Sequence, residues 1–359
     1  MRIAVLWSEL SGYFNACLKE LAAEEGVELF VAHVPPSIDA PYDGAMFDWM
    51  ENRYQWKDDV DPVDFLPRLE RFRPDVMLCV NWHNRGYRKA LLHFRGRAVR
   101  IFASDRPWMG SARQWLGVVG SRFYLHPLSD AMFVAGERQA MFARKMGFKQ
   151  GHILRGLLSC DHAKFSEIHR KRSMAVSEPC SFVYVGRFTH EKGLDVLVRA
   201  YASYRSMASR PWPLKCYGAG PLGVLLEGVE GIERKGFCQP DHLPDELLQA
   251  SCLVLPSIFE PWALVVHEAA AAGMAVIASD GVGASAHLVQ DGYSGYIVET
   301  GDADELAQAM LRYAALSPGA RREMGENSHR MSLQFTPRRW AHTLLAKSEE
   351  LMTRLPGKK

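Results

Sequence analysis

The 359-residue sequence has no apolar run approaching the length of a transmembrane helix, and its opening, Met1-Arg2-Ile3-Ala4-Val5-Leu6-Trp7, is too short an apolar run for a signal peptide. A cytoplasmic protein is expected, either free or bound at the inner face of a membrane. Cysteine is sparse: the seven residues (Cys17, Cys79, Cys160, Cys180, Cys216, Cys238, Cys252) are odd in number, and none stands in Cys-x-x-Cys or Cys/His ligand spacing. That argues against a disulfide framework or a structural zinc site and reads as buried or incidental thiols in a reducing compartment. Neither sign of charge dominates. Lys and Arg number 43 against 41 Asp and Glu, a net charge of +2, which argues against an extended nucleic-acid footprint. Familiar phosphate motifs are missing too. There is no P-loop Gly-Lys-Ser/Thr, and Gly218-Ala219-Gly220-Pro221 lacks the third glycine of a dinucleotide fingerprint and carries Pro221 where a helix should open. No Asp-x-Asp stands at an expected strand end.

What is present is alternation. With 48% apolar and 23% charged residues, the chain has the composition of an ordinary globular protein long enough for two cores. Short Val- and Leu-rich runs alternate with helical patterns, first from Ile3 to Leu154 and again from Ser181 to Val298. This predicts an α/β protein of two doubly wound, Rossmann-like domains facing across a cleft. The expected divisions are a first domain over 1–158, a charged linker over 159–180, a second domain over 181–335, and a C-terminal helix over 336–359 that packs back on the first domain. Residues 35–64 read as a loop-like insertion whose five aromatics from Tyr42 to Trp56 suit a binding surface or lid.

Phe259-Glu260-Pro261-Trp262-Ala263-Leu264-Val265-Val266-His267-Glu268 lies between two strand-like runs and reads as loop then helix. Pro261 suits the first helical position, and the amides of Trp262, Ala263 and Leu264 would then face outward unpaired, as an anion site requires. Glu260 and Glu268 flank it as acceptors for sugar hydroxyls. Three further loops at expected carboxyl ends of strands bear on the same edge: Arg187 and Lys192 in one, Gly218 and Gly220 in a second, Gly281 and Gly283 in a third. Cations there can neutralise a leaving diphosphate, and glycines let backbone approach it. Singly, each is as well read as a surface pair or a turn; their conjunction at one edge points to a phosphorylated sugar. In the first half, Arg85, Arg88, Lys89, Arg95, Arg97 and Arg100 form a basic run with no intervening acid. It reads either as a solvated helix face or as a surface for anionic lipid headgroups.

From Ser181 to Asp302 the order and spacing of these pieces resemble the retaining glycosyltransferases of family 4, which have the GT-B fold. The carrying residues are Gly186-Arg187-Phe188, Glu191-Lys192-Gly193, Tyr217-Gly218-Ala219-Gly220-Pro221, Pro256-Ser257, Glu260 and Glu268, and Asp291-Gly292 with Gly295. The resemblance implies that Arg187 and Lys192 bind the donor diphosphate, with the amides of Trp262, Ala263 and Leu264 completing the phosphate site. It further implies that Glu268 binds the ribose, Glu260 the transferred sugar, and that Phe237 lines the base pocket. It implies a front-face reaction on a nucleotide-sugar donor that needs no metal or other cofactor, with a saccharide or lipid-linked acceptor. Pro261-Trp262 replaces small residues common in the family, so Trp262 either touches the sugar or packs. Gly12 falls where relatives bring backbone near donor and acceptor. The histidine that many relatives carry after the fourth strand is replaced by Ser104-Asp105, leaving Asp105 or His83 for its role. Two alternatives stay open: a nucleotide-sugar epimerase of the same fold, and a non-catalytic nucleotide-sugar binding subunit.

Overall fold

The computed structural model describes residues 1–35, 44–56, 64–81 and 83–355. The chain divides into two compact units, Met1–Ser159 with Pro337–Lys359, and Cys160–Thr336.

Unit 1 is built on a seven-stranded sheet of order β3-β2-β1-β4-β5-β6-β7, with β1 Arg2–Leu6, β2 Glu28–His33, β3 Arg53–Gln55, β4 Val76–Cys79, β5 Val99–Ser104, β6 Ala131–Val134 and β7 Ile153–Arg155. Every adjacent pair is parallel. Helices cover both faces, so β4 and β6 are buried along their whole length, which is why they read as unbroken apolar runs. Unit 2 repeats the plan with six parallel strands, β10-β9-β8-β11-β12-β13: β8 Phe182–Val185, β9 Leu214–Tyr217, β10 Ile232–Gly236, β11 Cys252–Leu255, β12 Ala275–Ser279 and β13 Gly295–Val298. Both sheets are doubly wound, as the alternation predicts. Strand order reverses beside β1 and β4 in unit 1 and beside β8 and β11 in unit 2, and crevices at the carboxyl ends of such strand pairs are where open α/β sheets bind ligands.

Several expectations give way. Residues 159–180 are not an open linker: they hold the helix His162–Met174, which belongs to unit 2 and buries His162, Phe165 and Ile168. The C-terminal helix Pro337–Met352, by contrast, belongs to unit 1 as the sequence suggests, and its Trp340 ring lies 5.8 Å from both Phe14 and Phe133. The aromatic insertion is no lid in its described part. Trp56 is buried, donates to the Tyr87 hydroxyl at 2.9 Å and packs 4.9 Å from Phe65; Tyr42 lies outside the described residues. Nor is the basic run a continuous cationic face. Arg100 is buried against Asp130 at 2.8 Å, and Arg97 pairs with Glu70 at 3.0 Å.

Candidate active site

Four loops of unit 2 lock together at the carboxyl edge of its sheet. The Phe188 amide donates to Ala219 O at 2.8 Å, and Leu222 N donates to Phe188 O at 2.9 Å, which ties the loop after β8 to the loop after β9. Gly218 and Gly220 make this approach feasible. Both have φ near +150°, and a Cβ on Gly218 would lie 1.9 Å from Gly186 O. These two glycines therefore bring loop onto loop, which is a different task from admitting a phosphate. The turn after β12 docks in the same way on the loop after β11: a Cβ on Gly283 would lie 2.0 Å from Pro261 O.

Within this frame Lys192 Nζ donates to Glu260 Oε2. The side chains are 14% and 16% exposed, so each charge needs the other. Arg187, five residues from Lys192, is held differently: it stands in solvent and reaches Glu191 at 3.3 Å. Glu260 is anchored through its backbone, with its amide donating to Gly281 O and its carbonyl accepting from Gly283 N at 2.9 Å.

The helix after Glu260 begins later than Pro261 suggests. It spans Leu264–Ala271, with Ala263 as its cap at φ 81°, ψ 85°, a left-handed conformation unusual for alanine. With the later start, the amides that find no acceptor among the described residues include those of Ala263, Leu264 and Val265. They form the kind of helix start that binds anions. Trp262 is no surface contact. Its side chain is 2% exposed and packs 5.2 Å from Phe335 and 5.7 Å from His287, so only its backbone reaches the site. The bulk after Glu260 thus fills the core.

Glu268 is half-buried one turn into the helix, and the protein packed around its carboxyl pushes its pKa up to about 7, with Lys164 opposing and Asp161 reinforcing the shift. Lys164 is a residue the sequence reading missed, because it sits in the presumed linker. Its Nζ donates to Pro240 O at 3.0 Å and Asp241 Oδ1 at 2.7 Å, fixing the loop that follows Phe237. Phe237 itself is exposed. His267, the neighbour of Glu268, is fully buried and accepts from Cys160 N at 3.2 Å.

In unit 1, His83 and Asp105 do come together. Both line a cavity of about 560 Å³ at the carboxyl edge of β4 and β5, along with Ser8, Asn81 and Ser104. Crowding around the Asp105 carboxyl raises its pKa above the usual value, although the residue remains open to solvent at the rim. Gly12 opens the helix Gly12–Ala23, where an added Cβ would make only ordinary contact with Met46 at 3.6 Å.

Residues 179–315 match the sequence pattern that defines the glycosyl transferases group 1 family. Over these residues unit 2 resembles a group 1 glycosyltransferase domain.

Around that domain the likeness is broad. The chain is 28% identical over 273 residues, 73% of its length, to an exopolysaccharide phosphotransferase of Streptomyces coelicolor, of which the match covers 27%. It is 32% identical over 147 residues to a D-inositol 3-phosphate glycosyltransferase of Streptomyces griseus, covering 37% of this chain and 31% of the relative. The chain spans 27% to 43% of the length of the first curated relatives it matches. Among solved structures, sucrose-phosphate synthase from Thermosynechococcus elongatus superposes with a TM-score of 0.73 at 18% identity, covering 99% of this chain and 100% of that one. HepE of Anabaena, solved in complex with UDP, gives a TM-score of 0.72 at 15% identity, covering 98% and 100%. The chain therefore has the GT-B fold.

Proposed function

We propose that the protein is a retaining glycosyltransferase that moves a sugar from a nucleoside diphosphate donor to a hydroxyl of a saccharide or lipid-linked acceptor. We place it on the cytoplasmic side of a membrane, in polysaccharide, lipopolysaccharide or glycolipid synthesis. The observation that carries this reading is the Lys192–Glu260 pair beside the unpaired amides that open the helix Leu264–Ala271. An ammonium has three donors, and Glu260 takes one, so Lys192 retains donors for a diphosphate oxygen seated at those amides. Glu260 keeps a second oxygen for a hydroxyl of the transferred sugar.

In the proposed reaction the bond from the anomeric carbon to the diphosphate oxygen breaks, with the electron pair leaving on the diphosphate. The acceptor oxygen bonds to that carbon on the same face, and its proton passes to the leaving phosphate. Lys192, Arg187 and the helix amides stabilise the negative charge that develops, which is work that needs no metal ion. Glu268 accepts from ribose hydroxyls, Phe237 offers a face for the base, and Gly12, His83 and Asp105 of unit 1 serve the acceptor side. The experiment is turnover of a panel of nucleotide sugars with and without hydroxyl acceptors, with the product anomer read by NMR. Retention of configuration is expected. An inverted product would contradict the proposal, and donor converted to another nucleotide sugar without acceptor would make the protein an epimerase.

A further inference from the structure

The charged run His169-Arg170-Lys171-Arg172, which by composition reads as solvated, is turned partly inward by the helix His162–Met174. Arg170 pairs with Glu167 in solvent at 2.5 Å. Arg172 points the other way: its Nη2 donates to Leu247 O at 2.6 Å and to Ala250 O, at the end of the helix Leu243–Leu248. Its Nε is shielded from water and finds no acceptor. Glu178, a carboxylate that attracts it, is already taken up by Arg321 at 3.3 Å and Arg322 at 3.6 Å. A shielded guanidinium with an unmet donor costs free energy that an anion would offset.

Arg172 lines a cavity of about 370 Å³, within the span of about 300–1,000 Å³ that small-molecule sites occupy. Its walls come from the ends of the helices His162–Met174 and Pro318–Ser332 and from residues just before strands: Pro179 before β8, Ser251 before β11 and Gly273 before β12. In a parallel sheet that places the cavity at the amino edge. Lys192 and Glu260 stand at the opposite, carboxyl edge of the same sheet.

The lining selects the ligand. Four cations, Lys171, Arg172, Arg321 and Arg322, face two carboxylates, Glu178 and Glu326. Glu326 is engaged by His169 at 2.9 Å, and Arg321 is held in place by Leu316 O and by the Trp212 ring 5.1 Å away. Lys171 and Arg172 are left outside any ion pair among the described residues. Cations that converge from two helices suit a phosphate, whose oxygens point in several directions; a planar carboxylate is satisfied by one guanidinium fork. Ser173, Ser177 and Gln249 line the remainder and can bond hydroxyls on the body that carries the phosphate.

We propose that this cavity is a ligand site for a small phosphate monoester with a hydroxylated body, separate from the donor edge. The proposal does not rest on the transferase reading, because none of the lining residues serves in it.

Calorimetric titration of the full chain with glycerol phosphate, inorganic phosphate and glycerol, at matched ionic strength, tests the proposal. The helix start at Leu264 also attracts phosphate, so the titrations are repeated on Lys192→Met/Glu260→Gln, which alters the donor edge, and on Lys171→Gln/Arg322→Gln, which alters only exposed side chains at the cavity. Saturable binding of glycerol phosphate and none of glycerol is expected, unchanged in the donor-edge variant. Lys171→Gln/Arg322→Gln should bind at least ~tenfold more weakly with its melting temperature retained. Arg172→Gln should abolish binding and lower the melting temperature, since Leu247 O and Ala250 O lose their donor. No saturable binding of glycerol phosphate, binding of inorganic phosphate alone, equal binding by Lys171→Gln/Arg322→Gln and wild type, or loss of binding in the donor-edge variant would each overturn the proposal.

Discussion

Lys192 donates to Glu260, 68 positions further along the chain, joining the loop after β8 to the loop after β11 at the reversal of strand order in unit 2. Both partners are largely shielded from water, so the pair is a structural tie as well as a source of charge at the site. Removing one member of such a pair strands the other charge. Lys192→Ala is expected to lose at least ~100-fold in transfer rate and to lower stability by about 3 kcal/mol. Lys192→Met/Glu260→Gln should recover most of the stability and none of the rate. Recovery of both, measured by thermal melts beside turnover, would assign the pair a structural role only.

Glu268 gives a dependence on pH with a definite sign. Its carboxyl is raised from 4.5 to about 7 in the folded chain, so the folded state holds that proton more tightly than the unfolded state does. The associated stability is fully present below pH 4.5 and is lost as pH rises through about 7. Glu268→Gln should therefore be more stable than the wild type at about pH 8, by up to ~3 kcal/mol, and little different in mild acid. The same change should weaken nucleotide binding, because an amide accepts ribose hydroxyls less well than a carboxylate. A melting series that shows no divergence between the two proteins above neutrality would remove the burial argument.

Two glycines should respond oppositely. Gly218→Ala forces a Cβ to within 1.9 Å of Gly186 O at a φ that alanine avoids, and it should cost several kcal/mol or prevent folding of unit 2. Gly12→Ala meets nothing closer than Met46 at 3.6 Å and should leave the melting temperature nearly unchanged. If Gly12→Ala nonetheless depresses turnover, the cause is an approach to substrate at that backbone. Equal melting temperatures for the two variants would contradict the loop-on-loop packing.

The double alternation was legible because parallel strands buried on both faces must be apolar throughout, as in β4 and β11. The three-residue β3 was not, since Arg53, Tyr54 and Gln55 carry no strand signal and pair only with β2. The helix His162–Met174 was hidden by its composition: it buries only a narrow stripe, and Arg170-Lys171-Arg172 reads as a solvated tail. The helix Pro318–Ser332 carries a readable start in Ser317 as cap and Pro318 at the first position, a signal that went unused beside its polar, weakly periodic sequence. At the site, residue types at strand ends marked Arg187, Lys192, Glu260 and Glu268. Sequence alone could not tell which of them meet, because the Lys192–Glu260 contact depends on the order of strands in the sheet. Trp262 had two readings that only packing against Phe335 and His287 could separate.

The central claim is that unit 2 holds a nucleoside diphosphate on Lys192 and the start of the helix Leu264–Ala271. Calorimetric titration of UDP, GDP and ADP into the full chain and into Lys192→Ala tests it most directly. The account predicts one site for at least one of the three nucleotides, with affinity at least ~tenfold weaker in the variant. Binding of none of them, or equal binding by both proteins, would contradict it.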